Sequence, residues 1–135
     1  ARLVLDPEKE AKPDGWTRFV CFSDTHGLHD RISKEHHVEA DVLLHAGDFS
    51  NTGELDQVRS FAQWLKDYPA RHKVAIAGNH DVTFEPEYYA RKWHRYHAEQ
   101  FDCTAVREAL ISSGACVYLE DAAVEIEGYT IYGSP

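Results

Sequence analysis

The sequence has few cysteines and no long apolar run, and each absence excludes a class of protein. Three cysteines cannot all pair and none stands in a C-x-x-C motif, so we expect reduced thiols in a cytoplasmic protein. Cys21 lies in a predicted strand, where we expect it to be a small core residue and not a nucleophile. No run approaches the ~20 apolar residues of a membrane span. Residues 1–15 have no apolar segment of the kind that signal peptides carry.

Positive charge is also scarce, since 14 Lys and Arg face 23 Asp and Glu, for a net charge of −9. Proteins that bind a nucleic-acid polymer usually carry basic patches, so such a partner is not expected. A small phosphate ester remains compatible, because bound cations invert the local field. The length of 135 residues, with 43% apolar residues, fits one globular domain. We predict a polar N-terminal arm over residues 1–15 and a domain over residues 16–135.

Three short apolar, β-branched runs each end in a polar cluster. The runs are residues 18–23, 41–46 and 73–77, and the clusters that follow them are Asp24-Thr25-His26, Gly47-Asp48 and Gly78-Asn79-His80-Asp81. Short apolar runs of this kind are typical of buried parallel strands. The spacing between clusters is close to the ~30 residues of a strand, crossover and strand unit. The sequence therefore predicts that the clusters gather at the carboxyl ends of one sheet, where open α/β sheets place ligands.

The residue types in these clusters favour a metal site. Asp24 and His26 stand at i and i+2, so both side chains can reach one ion. Asp48 could bridge two cations ~3.5–4 Å apart, the separation found in two-metal hydrolases. Asn79 offers a neutral oxygen to the second ion, and His80 could serve as a general acid for the leaving alkoxide. This donor set suits Mn²⁺, Fe²⁺ or Zn²⁺.

Each cluster taken alone has an ordinary structural explanation. An Asp after a strand usually forms an Asx-turn or caps a helix, and Gly-Asp is a common turn dipeptide. We expect Asp81 to support His80 or to cap the next segment, and His45 to be a hydrogen-bonded core residue. The metal hypothesis depends on the three clusters occurring in order, each at a strand end.

The rest of the chain reads as helices and a hairpin. An amphipathic helix is predicted over residues 54–68, before Pro69. Further helices are predicted from residue 85 onward and over 104–113, with Gly114 as a C-terminal cap. A strand is predicted at 116–119, followed by a hairpin of residues 123–127 and 129–132 around Gly128. The stripe formed by Tyr89, Trp93 and Tyr96 or His97 is expected to be core.

The motifs D-x-H, G-D and G-N-H-[DE], in this order, resemble the signature of calcineurin-like metallophosphoesterases. Residues 17–26, 43–50, 76–84 and 131–135 are similar to the metallophosphoesterase domain-containing (MPPED-type) branch of that family. The resemblance covers residues 17–135. It implies an α/β fold, a β-sandwich flanked by helices in four αββα layers. Only the N-terminal portion of that fold, with a largely parallel sheet, is expected in this chain.

The resemblance also implies roles for individual residues. Asp24 and His26 would bind the first metal, Asp48 would bridge, and Asn79 would bind the second metal. His80 would contact the phosphate. In the family, a metal-bound hydroxide attacks phosphorus at a dinuclear centre, and the usual substrates of this branch are phosphodiesters such as cyclic nucleotides.

The chain departs from the family pattern in its second half. The family completes its site with later histidines, whereas this sequence has none after His97. Asn51 stands where many members carry another residue. We therefore expect an N-terminal fragment of a longer phosphoesterase, with weak or no activity. A complete domain would hold two divalent ions (Mn, Fe or Zn), and this chain at most one, weakly bound.

An alternative hypothesis is a non-catalytic homologue that binds a metal, a nucleotide or a protein. The expected partner is a small phosphoester substrate. No association with a membrane is expected. Uncovered sheet edges would also favour self-association.

Overall fold

A computed structural model describes residue 6 and residues 8–135, so residues 1–5 and 7 of the predicted N-terminal arm lie outside the described part. The described part contains a four-stranded parallel sheet in the order β1-β2-β3-β4 and an antiparallel hairpin, β5-β6. The strands are β1 Phe19–Phe22, β2 Ala40–His45, β3 Ala70–Ala75, β4 Val117–Tyr118, β5 Ala122–Ile126 and β6 Tyr129–Gly133. The α-helices are α1 Leu55–Asp67, α2 Pro86–Lys92 and α3 Cys103–Ile111. The predicted α/β class and parallel sheet are confirmed.

Four short 3₁₀ turns lie in the described connections between strands. They are His29–Arg31, Lys34–His36, Val82–Phe84 and Trp93–Arg95. The crossover from β1 to β2 contains only the first two of these turns. None of the described helices is long and apolar enough to cross a membrane.

The apolar face of α1 packs on one side of the parallel sheet. Val58, Phe61 and Leu65 are fully buried on this helix, and the Phe61 ring stacks on Phe49 with centroids 4.6 Å apart. The helix begins one residue later and ends one residue earlier than predicted, since Pro69 cannot continue it. The helix α3 lies beside α1 and is capped by the carboxylate of Asp102, which accepts hydrogen bonds from two backbone amides of its first turn. This side forms the larger core.

The hairpin covers the opposite face of the sheet. A second cluster joins Val42 and Val74 of the sheet to Leu119 and to Ile126 of β5. The hairpin turn consists of Glu127 and Gly128, with φ values of 53° and 80°. Positive φ at both turn residues matches the type I′ turn, whose twist suits a two-residue hairpin. Helices, parallel sheet and hairpin thus form successive layers.

The expectation that Cys21 is a core residue is wrong, because its side chain is exposed. Cys21 lies in β1 as predicted, but β1 is the edge strand of the sheet. Alternation along the strand places Cys21 on the same face as Phe19. The Phe19 ring packs edge-on against Tyr129 of the hairpin, at 5.2 Å between centroids. The hairpin therefore shelters the start of β1 and leaves Cys21 accessible.

Strand β3 begins at Ala70 and ends at Ala75, earlier than the predicted 73–77. The predicted strand omits Ala70, Arg71 and His72, because Arg71 and His72 are polar and do not match an apolar strand pattern. They pair with β2 nevertheless, in a register that starts at Ala40 opposite Ala70. Past the end of β3, the Ile76 amide still donates to the His45 carbonyl at 3.1 Å, and Gly78 follows two residues later.

The described part of the N-terminal arm contacts the amino end of the sheet. Lys12 Nζ lies 2.6 Å from a carboxylate oxygen of Asp41, and the Arg18 guanidinium donates to the carbonyl of Glu10 at 2.9 Å. The hydrogen bonds from Lys12 and from the Arg18 amide lower the pKa of Asp41. The division between arm and domain at residues 15 and 16 stays a prediction.

Candidate metal centre

The loops that follow β1 and β2 run side by side at the carboxyl ends of the strands. The Asp24 amide donates to the Gly47 carbonyl at 3.0 Å, and the His26 amide donates to the Asp48 carbonyl at 2.9 Å. These bonds continue the ladder between the two strands past their ends. They bring the first two polar clusters together, as the sequence predicts.

Two glycines allow the third loop to approach the second. Gly47 has φ +97°, and a Cβ at this position would lie 2.7 Å from the Gly78 amide nitrogen. A Cβ at Gly78 would in turn collide with the Asp48 carboxylate. The absence of both side chains lets the His80 amide donate to Asp48 Oδ1 at 2.8 Å. The Asp48 carboxylate therefore bonds directly to the third cluster.

Three side chains converge closely enough to hold a metal ion. Ligand atoms of His26, Asp48 and His80 all lie within 4.8 Å of one another. The two imidazole rings are 4.6 Å apart between centroids. Asp24 lies at the rim, with Oδ1 3.9 Å from His26 Nε2 and a side chain 65% exposed. Two imidazoles and one or two carboxylates are donors that suit Zn²⁺ and related divalent ions.

The observed cluster shares His26 and Asp48 with the predicted ligand set, but it contains His80 and not Asp24 or Asn79. His80 is predicted to contact the substrate, and the fold also places its ring within reach of an ion held by His26 and Asp48. Asn79 is exposed in the same loop, between Gly78 and His80. The assignments of Asp24, His26, Asp48 and Asn79 to metals, and of His80 to phosphate, stay predictions.

The backbone is strained at the candidate ligands themselves. Asp24, His26 and Asp48 have φ values of 55°, 44° and 55°, in the left-handed region that side chains other than glycine rarely adopt. Such residues cost about 1–3 kcal/mol each and persist only where surrounding contacts enforce them. The described part contains five non-glycine residues of this kind, and three of them belong to this one site. Their concentration here supports a functional role.

A backbone carbonyl orients the His80 ring. His80 Nδ1 lies 2.9 Å from the carbonyl oxygen of Asn51. A carbonyl can only accept, so Nδ1 carries the hydrogen and neutral His80 keeps its lone pair on Nε2. Nε2 can then bind an ion or a phosphate oxygen. To act as a general acid through this atom, His80 must first take up a proton there.

Asp81 does not cap the next segment, which is one of the two roles expected for it. Its buried carboxylate accepts hydrogen bonds from the amides of Ser50 and Gly78, each at 2.9 Å, and from the Ser50 hydroxyl at 2.5 Å. It makes no side-chain cap bond to the following 3₁₀ turn. Burial raises the pKa of Asp81, and these hydrogen bonds oppose the rise. Asp81 thus ties the loop after β2 to the loop after β3.

His45 is the hydrogen-bonded core histidine that the sequence predicts. Its side chain is 2% exposed, and Nε2 lies 3.0 Å from the Thr25 hydroxyl. Burial lowers the pKa of His45 to about 4, so the ring is neutral at physiological pH. Because Thr25 lies between Asp24 and His26, this hydrogen bond attaches the first cluster to the core of the protein.

Sequence reasoning missed a residue that joins two of the loops. Gln57, in the first turn of α1, accepts a hydrogen bond from the Asn51 amide at 2.8 Å. Its side chain also fills the space beside Gly27, where a Cβ would lie 2.7 Å from Gln57 Oε1. No signal in the sequence marks this contact, since Gln57 reads as one more polar residue on the exposed side of an amphipathic helix.

A cavity of about 420 Å³ lies next to the candidate centre. Asn79 and Asp81 contribute to one side of it, and Tyr88 and Tyr96 contribute aromatic surface. The two tyrosine hydroxyls are 2.6 Å apart and hydrogen-bonded. A larger cavity, of about 670 Å³, is at the amino end of the sheet beside Lys12 and is remote from the three clusters.

Comparison with known proteins agrees with this geometry. The family model described as calcineurin-like phosphoesterase matches residues 17–134. Metallophosphoesterase domain-containing protein 1 of Homo sapiens and that of Mus musculus are each 38% identical to this chain, over 96% of its length and 40% of their own. A UPF0046 protein of Caenorhabditis elegans is 35% identical over 87% of this chain and 41% of its own length. The chain thus spans about two fifths of these curated relatives.

Proposed function

Because this chain belongs to the calcineurin-like phosphoesterase family, we propose that it supplies the metal-binding part of a phosphodiesterase. The proposed substrates are small phosphodiesters, such as cyclic nucleotides. In the complete domain we propose a dinuclear centre of Mn, Fe or Zn. Asp24 and His26 would serve the first ion, Asp48 both ions, and Asn79 the second.

The observation that carries the proposal is the convergence of His26, Asp48 and His80 on a strained backbone. Backbone hydrogen bonds join the first loop to the second, and the carboxylates of Asp48 and Asp81 join the second loop to the third, so that two imidazoles and a carboxylate lie close together. The φ values of Asp24, His26 and Asp48 cost about 1–3 kcal/mol each and are maintained by the contacts around them. A site that must present ligands at fixed positions explains why the strain is retained.

A divalent ion bound here would supply a Lewis acid and an activated water for attack at phosphorus. The chain's own residues would do the rest. Asp48 is buried and anchored by the His80 amide, so its second oxygen has a fixed direction. His80 presents Nε2 with Nδ1 held by Asn51, and a protonated Nε2 would stabilise the phosphate and protonate the leaving alkoxide.

The cavity beside Asn79 supports a place for the organic part of the ester. Its tyrosines offer flat apolar surface, and its rim carries Glu85 and Glu120 instead of cations. The phosphate would have to be held by metal ions and His80, because the net charge of the chain is −9. This division between charged and apolar surface suits a phosphodiester with one bulky alcohol group.

The test is a paired measurement of rate and bound metal in a protein that carries this chain within a complete domain. His80→Ala should slow hydrolysis of an ester with a poor leaving group about 10²–10⁴-fold, the range of a positioned general acid. It should affect nitrophenyl esters much less and leave metal content near the parent level. Asn79→Ala should lower metal occupancy and activity together.

Two outcomes would contradict the role of His80. Loss of metal in the His80→Ala protein would move His80 to the ligand set, as its distance to His26 and Asp48 permits. An equal rate loss for good and poor leaving groups would leave it a role in phosphate binding alone.

A non-catalytic metal-binding module is the second candidate. The observation that favours it is that only one group of three or more potential ligands occurs among the described residues. Two ions of a hydrolytic centre would need further ligands. For the isolated chain we therefore propose one weakly bound ion and no appreciable turnover, and a robust rate from purified chain would exclude this candidate.

A further inference from the structure

The peptide unit between Asn51 and Thr52 is held from both sides. Its carbonyl accepts a hydrogen bond from His80 Nδ1 at 2.9 Å. Its N–H donates to Glu54 Oε2, also at 2.9 Å. Since the two groups belong to one rigid plane, any rotation that releases the Glu54 contact also turns the carbonyl away from His80. The orientation of His80 therefore depends on Glu54.

Glu54 is in turn fixed by the Thr52 hydroxyl. The hydroxyl donates to Glu54 Oε1 at 2.8 Å, and it has only one hydrogen to give. Its contact with His97 Nε2, at 3.0 Å, must then be one that Thr52 Oγ1 accepts. His97 is consequently the Nε2–H tautomer.

The other nitrogen of His97 is engaged by a buried tyrosine. Tyr89 is fully buried, and its hydroxyl lies 2.7 Å from His97 Nδ1. The same hydroxyl oxygen accepts from the Phe101 amide at 3.0 Å, so its hydrogen is free to go to Nδ1. This agrees with the tautomer assigned from Thr52. Burial lowers the pKa of His97, which favours the neutral ring that the arrangement requires.

We infer that His97 is a positioning residue for His80, acting through Thr52, Glu54 and the Asn51–Thr52 peptide. The path runs from Tyr89 to His97, Thr52 and Glu54, and each hydrogen in it has one acceptor. Its end point is the hydrogen on His80 Nδ1, which leaves Nε2 to face an ion or phosphate. A role of the His80 tautomer in binding an ion or phosphate rests on the proposed function. The hydrogen-bonded path from Tyr89 to His80 does not depend on that function.

The alternative explanation is that the contacts of His97 only hold the region of α2 against the loop after β2, with no effect on His80. In that case breaking the path would lower stability and leave the His80 tautomer unchanged. The positioning role makes the opposite claim. A released Asn51 carbonyl would let His80 exchange between its two neutral tautomers while the chain stays folded.

The experiment reads the tautomers of His80 and His97 by ¹⁵N–¹H correlation NMR on the metal-free chain at about pH 8.5, where histidine with a pKa of ~6.5 is neutral. A glutamine amide nitrogen can take the place of His97 Nε2, whereas the amide nitrogen of asparagine lies near Nδ1. His97→Gln should therefore retain the donor to Thr52 and His97→Asn should lose it. Tyr89→Phe removes the Tyr89 hydroxyl from the path. Tyr88→Phe is the matched control, because its hydroxyl bonds to Tyr96 outside the path.

In the parent chain, His97→Gln and Tyr88→Phe, we expect the Nδ1 signal of His80 to be that of a protonated nitrogen. In His97→Asn and Tyr89→Phe we expect the two His80 nitrogen signals to move toward each other. A folded His97→Asn chain with an unchanged His80 spectrum would overturn the inference.

If His97→Asn does not fold, variants of the half-exposed Thr52 provide the test. Thr52→Ser keeps the hydroxyl and should preserve the His80 tautomer, and Thr52→Val removes it at similar volume and should not. Equal spectra for these two variants would refute the positioning role. None of these measurements depends on metal or hydrolysis, so their failure is distinct from failure of the proposed function.

Discussion

Acid should destabilise this protein through the buried imidazole of His45. The ring is 2% exposed, and burial lowers its pKa to about 4 from the ordinary 6.5. The unfolded chain therefore takes up a proton near pH 6.5, whereas the folded chain does so only near pH 4. Between these values the unfolded state binds more protons, so stability rises with pH. The contribution of His45 is complete above pH 6.5 and is lost as the pH falls toward 4.

The size of the effect follows from the two pKa values. Each tenfold change in proton affinity corresponds to ~1.4 kcal/mol, so the lowering of the His45 pKa from 6.5 to about 4 makes the protein about 3 kcal/mol less stable at pH 4 than at neutral pH. That is a substantial part of the ~5–15 kcal/mol by which domains are stable. Burial also lowers the pKa of His29, so its contribution has the same sign and adds to the total.

Urea unfolding of the parent and of His45→Gln, at pH values from 8 to 4, isolates the contribution of His45. Glutamine is neutral throughout and can still bond to Thr25. The parent should lose about 3 kcal/mol more than the variant over this range. His36→Gln is the control, because the His36 side chain is 60% exposed. Parallel curves for the parent and His45→Gln would refute the argument, as would an NMR pKa of His45 near 6.5.

Three further predictions concern the loops of the site. Gly47→Ala should destabilise by about 3 kcal/mol or more, because its Cβ meets the Gly78 amide, whereas Gly114→Ala, with φ +71° and open space, should cost only ~1–2 kcal/mol in thermal or urea unfolding. Asp24→Gly should leave the free energy of unfolding unchanged or raise it by up to ~1 kcal/mol, because glycine adopts the φ of 55° without strain. Asp24→Ala should not raise the free energy of unfolding. Both variants should bind metal more weakly than the parent. Asp81→Ala should cost about 3 kcal/mol or more, because it leaves buried amides of two loops unpaired; a loss below ~1 kcal/mol would mean that Asp81 does not tie them.

The sequence predicts the elements whose apolar pattern is strong. The helix from Leu55 to Asp67, the strand from Ala40 to His45 and the hairpin around Gly128 all lie within one or two residues of their predicted bounds. Strand β3 was misplaced because its first half is polar and is recognised as strand only through pairing with β2. The exposure of Cys21 depends on how far the hairpin extends over β1, which no local pattern specifies.

The sequence predicts that the polar clusters gather at one edge of the sheet, but it does not predict the detailed geometry there. Strand-end clusters at crossover spacing predict that Asp24, His26 and Asp48 meet. His26 and Asp48 do meet, because the neighbouring strands β1 and β2 end together, and Asp24 lies at the rim. The role of Asp81, the strained φ values and the contact of His80 with the Asn51 carbonyl were not predictable. Backbone conformation and backbone acceptors leave no residue-type signal, and His97 lies 45 positions from Thr52.

The most direct test of the central claim is metal binding by the chain itself, measured by calorimetry with Zn²⁺ or Mn²⁺ and by elemental analysis. The account predicts one weakly held ion per chain. Asp48→Asn should abolish binding, because it removes the buried carboxylate that lies between His26 and His80 in reach of both. Asp102→Asn, which keeps its capping role in α3, should bind as the parent does. Two tightly held ions, or unchanged binding after Asp48→Asn, would contradict the account.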